Sequence, residues 1–279
     1  MATLKMNFLS KALGMQTNIT VILPSYSFAD VMGNEKREVW VPGMKFHTLW
    51  LLHGFSGDDS DYVNFTNIVR YADQNKLAVV MPPAFNASYT DEPQGAKYFS
   101  FVVDELPEMC RALFPLSDKR EDNIVAGLSM GGGGAMKVGI MRPEQYGTVM
   151  CMSGASRDMR EAAPTTSIVQ NNGDPKSYSR GAASRSDDSL EGPNDVFYHA
   201  KKNVEDGKLL PKFYMTCGDK DFALTGVKKA TEFLKENGYD VFYEEVPGYG
   251  HEWDFWDLTL RKALNDWFPL KRSAIYPEK

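Results

Sequence analysis

The sequence predicts an α/β domain, with a mainly parallel central sheet and helices on both faces. Three observations predict it. Short, strongly apolar runs alternate with longer helical segments, the pattern of strands covered on both sides. The pentapeptide Gly127-Leu128-Ser129-Met130-Gly131 stands between one such run and a helix. The length of 279 residues suits one large domain, 1–279, whose core needs no disulfide or metal staple.

The elements follow in order. Residues 18–23 (NITVIL) read as the opening strand. Residues 49–52 (LWLL) run into His53-Gly54, and 77–81 (LAVVM) are stopped by Pro82-Pro83. A helix is predicted over 100–114, with Phe101, Leu106, Met109, Cys110 and Leu113 near one face. Pro107 inside it signals either a break or an early-turn position. Residues 123–126 (NIVA) are the strand before Ser129, and a helix over 131–141 follows. Strands at 148–152, 213–217 and 241–246 alternate with helices over 222–237 and 252–267. Gly238 is a natural stop for the first of these helices. The stretch 156–211 breaks the rhythm, being rich in Ser, Asp, Gly and Asn. It reads either as a solvated loop or as a cap over the site.

Composition narrows the function classes. Charged residues make up 24% and the net charge is −6, so there is no electrostatic footprint for nucleic acid or an anionic membrane. No run approaches the roughly 18 apolar residues of a membrane span, and the N-terminus lacks a signal-length apolar stretch. A cytoplasmic protein is expected. The three cysteines, Cys110, Cys151 and Cys217, form neither a disulfide framework nor a zinc spacing, and read as buried thiols. The expected partner is a small-molecule or carbohydrate-linked substrate, and a homo-oligomer is compatible with the sequence. No metal or organic cofactor is expected.

The pentapeptide carries the chemistry. A GxSxG pattern at a strand-to-helix turn is the nucleophile elbow of α/β-hydrolase folds. The turn is sharp, so Gly127 and Gly131 must leave room for neighbouring backbone. The Ser129 hydroxyl is then exposed beside a helix N-terminus, where amides and dipole favour a developing anion. A serine needs a base, and the base needs an orienting carboxylate. Of the four histidines, His251 follows a predicted strand in a glycine-flanked loop, late in the chain as the fold's order requires. The acid comes from Gly218-Asp219-Lys220-Asp221. Asp221 is preferred, since one more loop turn carries it toward the histidine, and Asp219 stays open. The backbone N–H groups of Met130 and Phe55 are candidates for an oxyanion hole. His53 reads as a brace for the loop that carries Phe55.

Together these residues resemble the esterase D-like family of α/β-hydrolases. That family includes S-formylglutathione hydrolases, tributyrin-type esterases, and feruloyl and acetylxylan esterases. The matching stretches are LWLLHGFSGD, FVVDELPEMCRALFP, AGLSMGGGGAMK, CGDKDF and GYGHEWDFWD, within about residues 17–268. The resemblance implies Ser129 as nucleophile, His251 as base and Asp221 as acid. It also implies serine carboxylesterase activity on short acyl esters, acetyl or hydroxycinnamoyl esters on plant carbohydrates among them. The S-formylglutathione branch usually reads SMGGHGA, where this chain has SMGGGGA with Gly133. Thioester hydrolysis and acyl transfer to an alcohol stand as alternatives. Aromatic residues of 82–89, with Trp253 and Trp256, are either substrate surface or core.

Overall fold

The computed structural model describes residues 1–33, 39–160 and 189–277. Eight strands form one sheet: β1 (Ala2–Ser10), β2 (Met15–Leu23), β3 (Thr48–Leu52), β4 (Ala78–Met81), β5 (Asn123–Leu128), β6 (Thr148–Met152), β7 (Lys212–Gly218) and β8 (Val241–Val246). Their order is β1-β2-β4-β3-β5-β6-β7-β8. β1 and β2 form an antiparallel hairpin, β2 meets β4 antiparallel, and every pair from β4 to β8 is parallel. This is the mainly parallel sheet of the α/β-hydrolase fold.

The central strands β3, β4, β5 and β6 are buried along their whole length. Alternate side chains feed two cores, as the two-residue period of a strand requires. Trp50, Val125 and Cys151 face one core, while Leu49, Ala126 and Met150 face the other. The first core is closed by helices α4 (Leu106–Leu113), α5 (Met130–Met141), α6 (Val196–Glu205) and α7 (Leu224–Glu236). The second is closed by α2 (Asp61–Phe65), α3 (Ile68–Asn75) and α8 (Trp253–Lys262). A short helix α1 (Phe28–Met32) lies on the excursion between β2 and β3.

Several elements differ from the sequence expectation. β1 was not expected. It is an edge strand whose exposed and half-exposed residues alternate, so it lacks the continuous apolar run of the inner strands. Its hairpin turn is fixed by Glu105, whose carboxylate accepts from Ser10 Oγ and from the backbone N–H groups of Lys11 and Ala12. Pro107 does not break its helix. It sits in the first turn of α4, directly after a π turn over Phe101–Glu105, an early position at which proline is tolerated.

The stretch 156–211 is described only in part, since 161–188 lie outside the described residues. Its later portion contains α6, which packs on the core. Asp195, at the N-cap, accepts the Tyr198 N–H at 3.0 Å. Asn203 Nδ2 donates to Ile140 O of α5 at 2.6 Å. Among the described residues no helix is long and apolar enough to cross a membrane.

Candidate active site

The sheet's connectivity decides where loops gather. β4 lies on one side of β3 and β5 on the other, so the chain reverses direction across the sheet between them. Crevices form at the carboxyl ends of strands near such a reversal. The loops after β3, β5, β6, β7 and β8 all open at that end.

Ser129 occupies the turn from β5 to α5 with φ 53° and ψ −118°. A non-glycine residue is strained at positive φ and persists there only when its surroundings hold it. The Ser129 N–H donates to Met152 O of β6 at 2.8 Å. Close backbone approach explains the flanking glycines. A Cβ on Gly127 would lie 2.1 Å from Gly131 O, and one on Gly131 would lie 2.2 Å from Leu52 O.

Asp221 and His251 arrive on the two loops after β7 and β8. Gly218 lets these loops touch, because a Cβ there would lie 2.2 Å from Tyr249 O. The Lys220 N–H donates to the same carbonyl at 3.0 Å. Both carboxylate oxygens of Asp221 lie 3.0 Å from His251 Nδ1, and His251 Nε2 lies 2.8 Å from Ser129 Oγ. An ionised carboxylate only accepts, so Nδ1 carries the ring proton and Nε2 is left to accept from the serine hydroxyl. Three residues spread over 122 positions thus form one hydrogen-bonded line.

The second aspartate faces elsewhere. Asp219 is exposed, and its Oδ1 accepts the Gly248 N–H at 2.7 Å, capping the turn ahead of His251. Asp221 is buried. Burial pushes its carboxyl upward, but hydrogen bonds from His251, Ser153 and the Ala223 N–H outweigh that and hold it below the ordinary carboxylate range.

The candidate oxyanion donors lie on the expected segments. Met130 is the first residue of α5, where an N–H has no acceptor within the helix. Phe55 follows Gly54, whose Cβ, if present, would lie 3.4 Å from Ser129 Cβ. His53 braces this loop. Its Nε2 accepts the Ala84 N–H at 2.8 Å and its Nδ1 pairs with Gly54 O at 2.6 Å. Burial lowers the His53 pKa, keeping the ring neutral for both bonds.

Phe222 and Ser153 also reach the site, and neither was singled out in the sequence. Phe222, largely exposed, packs its ring 4.3 Å from the imidazole of His251. Ser153, after β6, is buried at φ 52°, and its Oγ accepts from Trp256 Nε1 at 3.0 Å. Trp256 is core rather than substrate surface, with its ring edge-on to His251 at 5.0 Å. A serine in the small-residue run directly after a strand was the available clue to Ser153. The three cysteines are buried and free. Among the described residues no cluster of three or more His, Cys, Asp or Glu could hold a metal ion.

The line can perform nucleophilic acyl chemistry. An imidazole within hydrogen-bond reach of a serine can take its proton as the oxygen attacks a carbonyl. Known proteins agree with that chemistry. The Esterase family model matches residues 10–267. An acetyl esterase of Caldicellulosiruptor saccharolyticus is 32% identical over 265 residues, covering 95% of this chain and 97% of its own. Among solved structures, the Staphylococcus aureus fluorophosphonate-binding serine hydrolase FphF is similar at a TM-score of 0.76 and 27% identity, over 94% of this chain and 96% of that one. The S-formylglutathione hydrolase FrmB of the same organism aligns with a TM-score of 0.76 and 28% identity, over 94% and 97%. With its fold, the match across nearly its whole length and these relatives in agreement, the chain belongs to the esterase family and is a serine carboxylic ester hydrolase of the esterase D-like group.

Proposed function

We propose that the chain hydrolyses short-chain acyl esters, acetyl esters foremost, through an acyl-enzyme on Ser129. The observation that carries this reading is the line from Asp221 through His251 to the Ser129 hydroxyl, closed at 2.8 Å. His251 Nε2 takes the hydroxyl proton while Ser129 Oγ attacks the ester carbonyl. Asp221 orients the ring and stabilises the imidazolium without taking its proton. The N–H groups of Met130 and Phe55 hold the tetrahedral oxyanion, each contributing about 3 kcal/mol to the transition state. His251 protonates the leaving alcohol, the C–O bond breaks, and water activated by the same ring releases the acid and restores Ser129.

The acetyl preference is supported by the acetyl esterase relative, which aligns over nearly all of both chains. Exposed Phe55, next to Gly54 beside Ser129, and Phe222, against the His251 ring, suit an apolar or aromatic portion of the substrate, such as a hydroxycinnamoyl group on a plant carbohydrate. The relative FrmB favours a second reading, hydrolysis of S-formylglutathione. Against it stands Gly133, where that branch usually carries histidine.

One panel tests the assignment: acetylated xylan oligosaccharides, methyl ferulate, tributyrin and S-formylglutathione. The expected result is the highest kcat/KM on an acetyl ester. Highest kcat/KM on the thioester replaces the ester reading with the second one. Ser129→Ala is expected to lower kcat on p-nitrophenyl acetate by on the order of 10^6-fold. Retained activity in that variant removes Ser129 as nucleophile.

A further inference from the structure

The loop after β3 carries Phe55, and the loop after β4 grips it at three points. The Ala84 N–H donates to His53 Nε2 at 2.8 Å. The Tyr89 hydroxyl donates to His53 O at 2.9 Å. Between these two, Asn86 Oδ1 accepts the Ser56 N–H at 2.8 Å. The gripping segment is tightly wound. Phe85, Ser88 and Tyr89 all keep positive φ, at 45°, 51° and 52°, and the Ala87 N–H donates to Ala84 O at 3.1 Å. Residues other than glycine keep such backbone only where their surroundings hold it. Two of the three contacts end on His53. The contact from Asn86 reaches past it, to the peptide that follows Phe55.

Each peptide flanking Phe55 is thereby held by one of its atoms. His53 Nε2 accepts from Ala84, so Nδ1 carries the ring proton and donates to Gly54 O at 2.6 Å. The Gly57 N–H donates to the same carbonyl at 3.3 Å. A trans peptide is planar, with its N–H opposite its C=O. Holding Gly54 O on one side therefore sets the Phe55 N–H on the other. Among the described residues that N–H donates to no backbone or side-chain acceptor, which leaves it for a substrate oxygen. The next plane, Phe55–Ser56, is held by Asn86 at the Ser56 N–H. Ser56 itself sits at φ 64°, a conformation that needs such an anchor. The two planes share the Phe55 Cα, so freeing the second loosens the first.

We propose that Asn86 is a positioning residue for the oxyanion hole: its side-chain carbonyl, presented by the wound loop after β4, holds the Phe55–Ser56 peptide so that the Phe55 N–H stays aimed at the substrate oxygen. This rests on the reading of Ser129 and of the Phe55 and Met130 amides given above. An asparagine suits the task. Its Oδ1 accepts without carrying charge, whereas a carboxylate there would accept equally well and repel the forming oxyanion. The Met130 amide belongs to the first turn of α5 and does not depend on Asn86. Loss of Asn86 therefore misaims one donor of the pair and leaves the other in place.

The test uses Asn86→Ala and Asn86→Asp in the full chain. Steady-state kinetics are measured on p-nitrophenyl acetate and on p-nitrophenyl thionoacetate, whose carbonyl oxygen is replaced by sulfur, together with the thermal midpoint. Sulfur is a weak acceptor, so amides set for an oxyanion favour the ester over the thionoester. In Asn86→Ala, kcat on the ester is expected to fall about tenfold per folded molecule with KM within about twofold. The ratio of kcat/KM for ester over thionoester is expected to fall about fivefold, because the thionoester has less to lose. Asn86→Asp keeps the acceptor but adds a charge. Its kcat is expected to fall, while its ratio stays within about twofold of wild type, since the charge opposes both anions alike.

An unchanged ratio in folded Asn86→Ala overturns the inference, whatever happens to kcat, because equal losses on both substrates trace to loop stability alone. A raised KM with unchanged kcat overturns it too and makes Asn86 a substrate contact. So does a ratio in Asn86→Asp that falls as far as in the alanine variant. If the wild-type chain itself does not favour the ester, the reading of the Phe55 and Met130 amides falls and this inference with it. If wild type favours the ester and Asn86→Ala does so equally, only the inference falls.

Discussion

Asp219 and Asp221 stand two positions apart on one loop yet face different partners. Asp221 meets the imidazole while Asp219 caps the Gly248 N–H. Replacing each by asparagine separates the two roles. Asp221→Asn is expected to cut kcat by about 10^4-fold, because an amide in that place favours the wrong imidazole tautomer. Asp219→Asn keeps an acceptor for the turn, and its kcat/KM is expected within about threefold of wild type. Equal losses in steady-state kinetics would reject the assignment of the acid. His53 offers a second comparison at this scale. Its two ring nitrogens are both paired inside the protein. His53→Ala leaves the buried Ala84 N–H without an acceptor, which costs about 1–3 kcal/mol. Denaturant titration is expected to show that loss, with a kcat decrease from the displaced Phe55 loop.

The junction of β5 and α5 shows why elements, and not only side chains, make the site. The helix starts as soon as the strand ends, and its first turns carry Gly131, Gly132, Gly133 and Gly134. Gly134 receives the ring of Tyr89, since a Cβ there would lie 2.4 Å from Tyr89 Cδ2. Tyr89 in turn donates from its hydroxyl to His53 O at 2.9 Å, tying the loop after β4 to the loop after β3. At Gly131 the obstacle is backbone, which cannot step aside as a flexible side chain does. Gly131→Ala is therefore expected to destabilise the fold by about 3 kcal/mol and to reduce kcat beyond what the unfolded fraction explains. A wild-type denaturation midpoint in that variant would contradict the packing. α4 shows the opposite tolerance: Pro107 sits in its first turn, directly after a π turn, where a missing N–H disturbs the helix least.

Across the whole molecule, buried and paired groups set how stability depends on pH. Hydrogen bonds from Ser27 hold Asp30 down at about 2. Asp195 and Asp221 are pushed up by burial but held lower by their donors. Burial lowers both His47 and His53, with Asp122 opposing the shift at His47. All five bind a proton less readily folded than unfolded. Their contribution is present above the unfolded pKa and lost as pH falls through the folded one. Asp61, raised by burial, works the other way. The thermal midpoint is expected to decline as pH falls below the histidines' ordinary 6.5, and more steeply below the carboxylates' ordinary 3.8. A midpoint that rises on acidification through that range would reject the balance.

The same scale separates what was legible in the sequence from what was not. By itself the sequence determined the parallel inner strands, the strand-to-helix turn at Ser129 and the loop positions of Asp221, Phe55 and His251. Each is a local pattern of apolar runs, glycines and chain order. β1 escaped because a half-exposed edge strand gains its identity from pairing with β2. α6 escaped because it sits within a stretch whose overall composition is that of a loop. Only the tertiary structure chose Asp221 over Asp219 as the neighbour of His251, turned Trp256 inward, and set the Ser153 hydroxyl against its indole. Those outcomes depend on distances between segments up to 122 positions apart, which arise from sheet order and loop contact. Short-range periodicity carries no information about such distances, because it records which face a residue occupies and not what stands opposite.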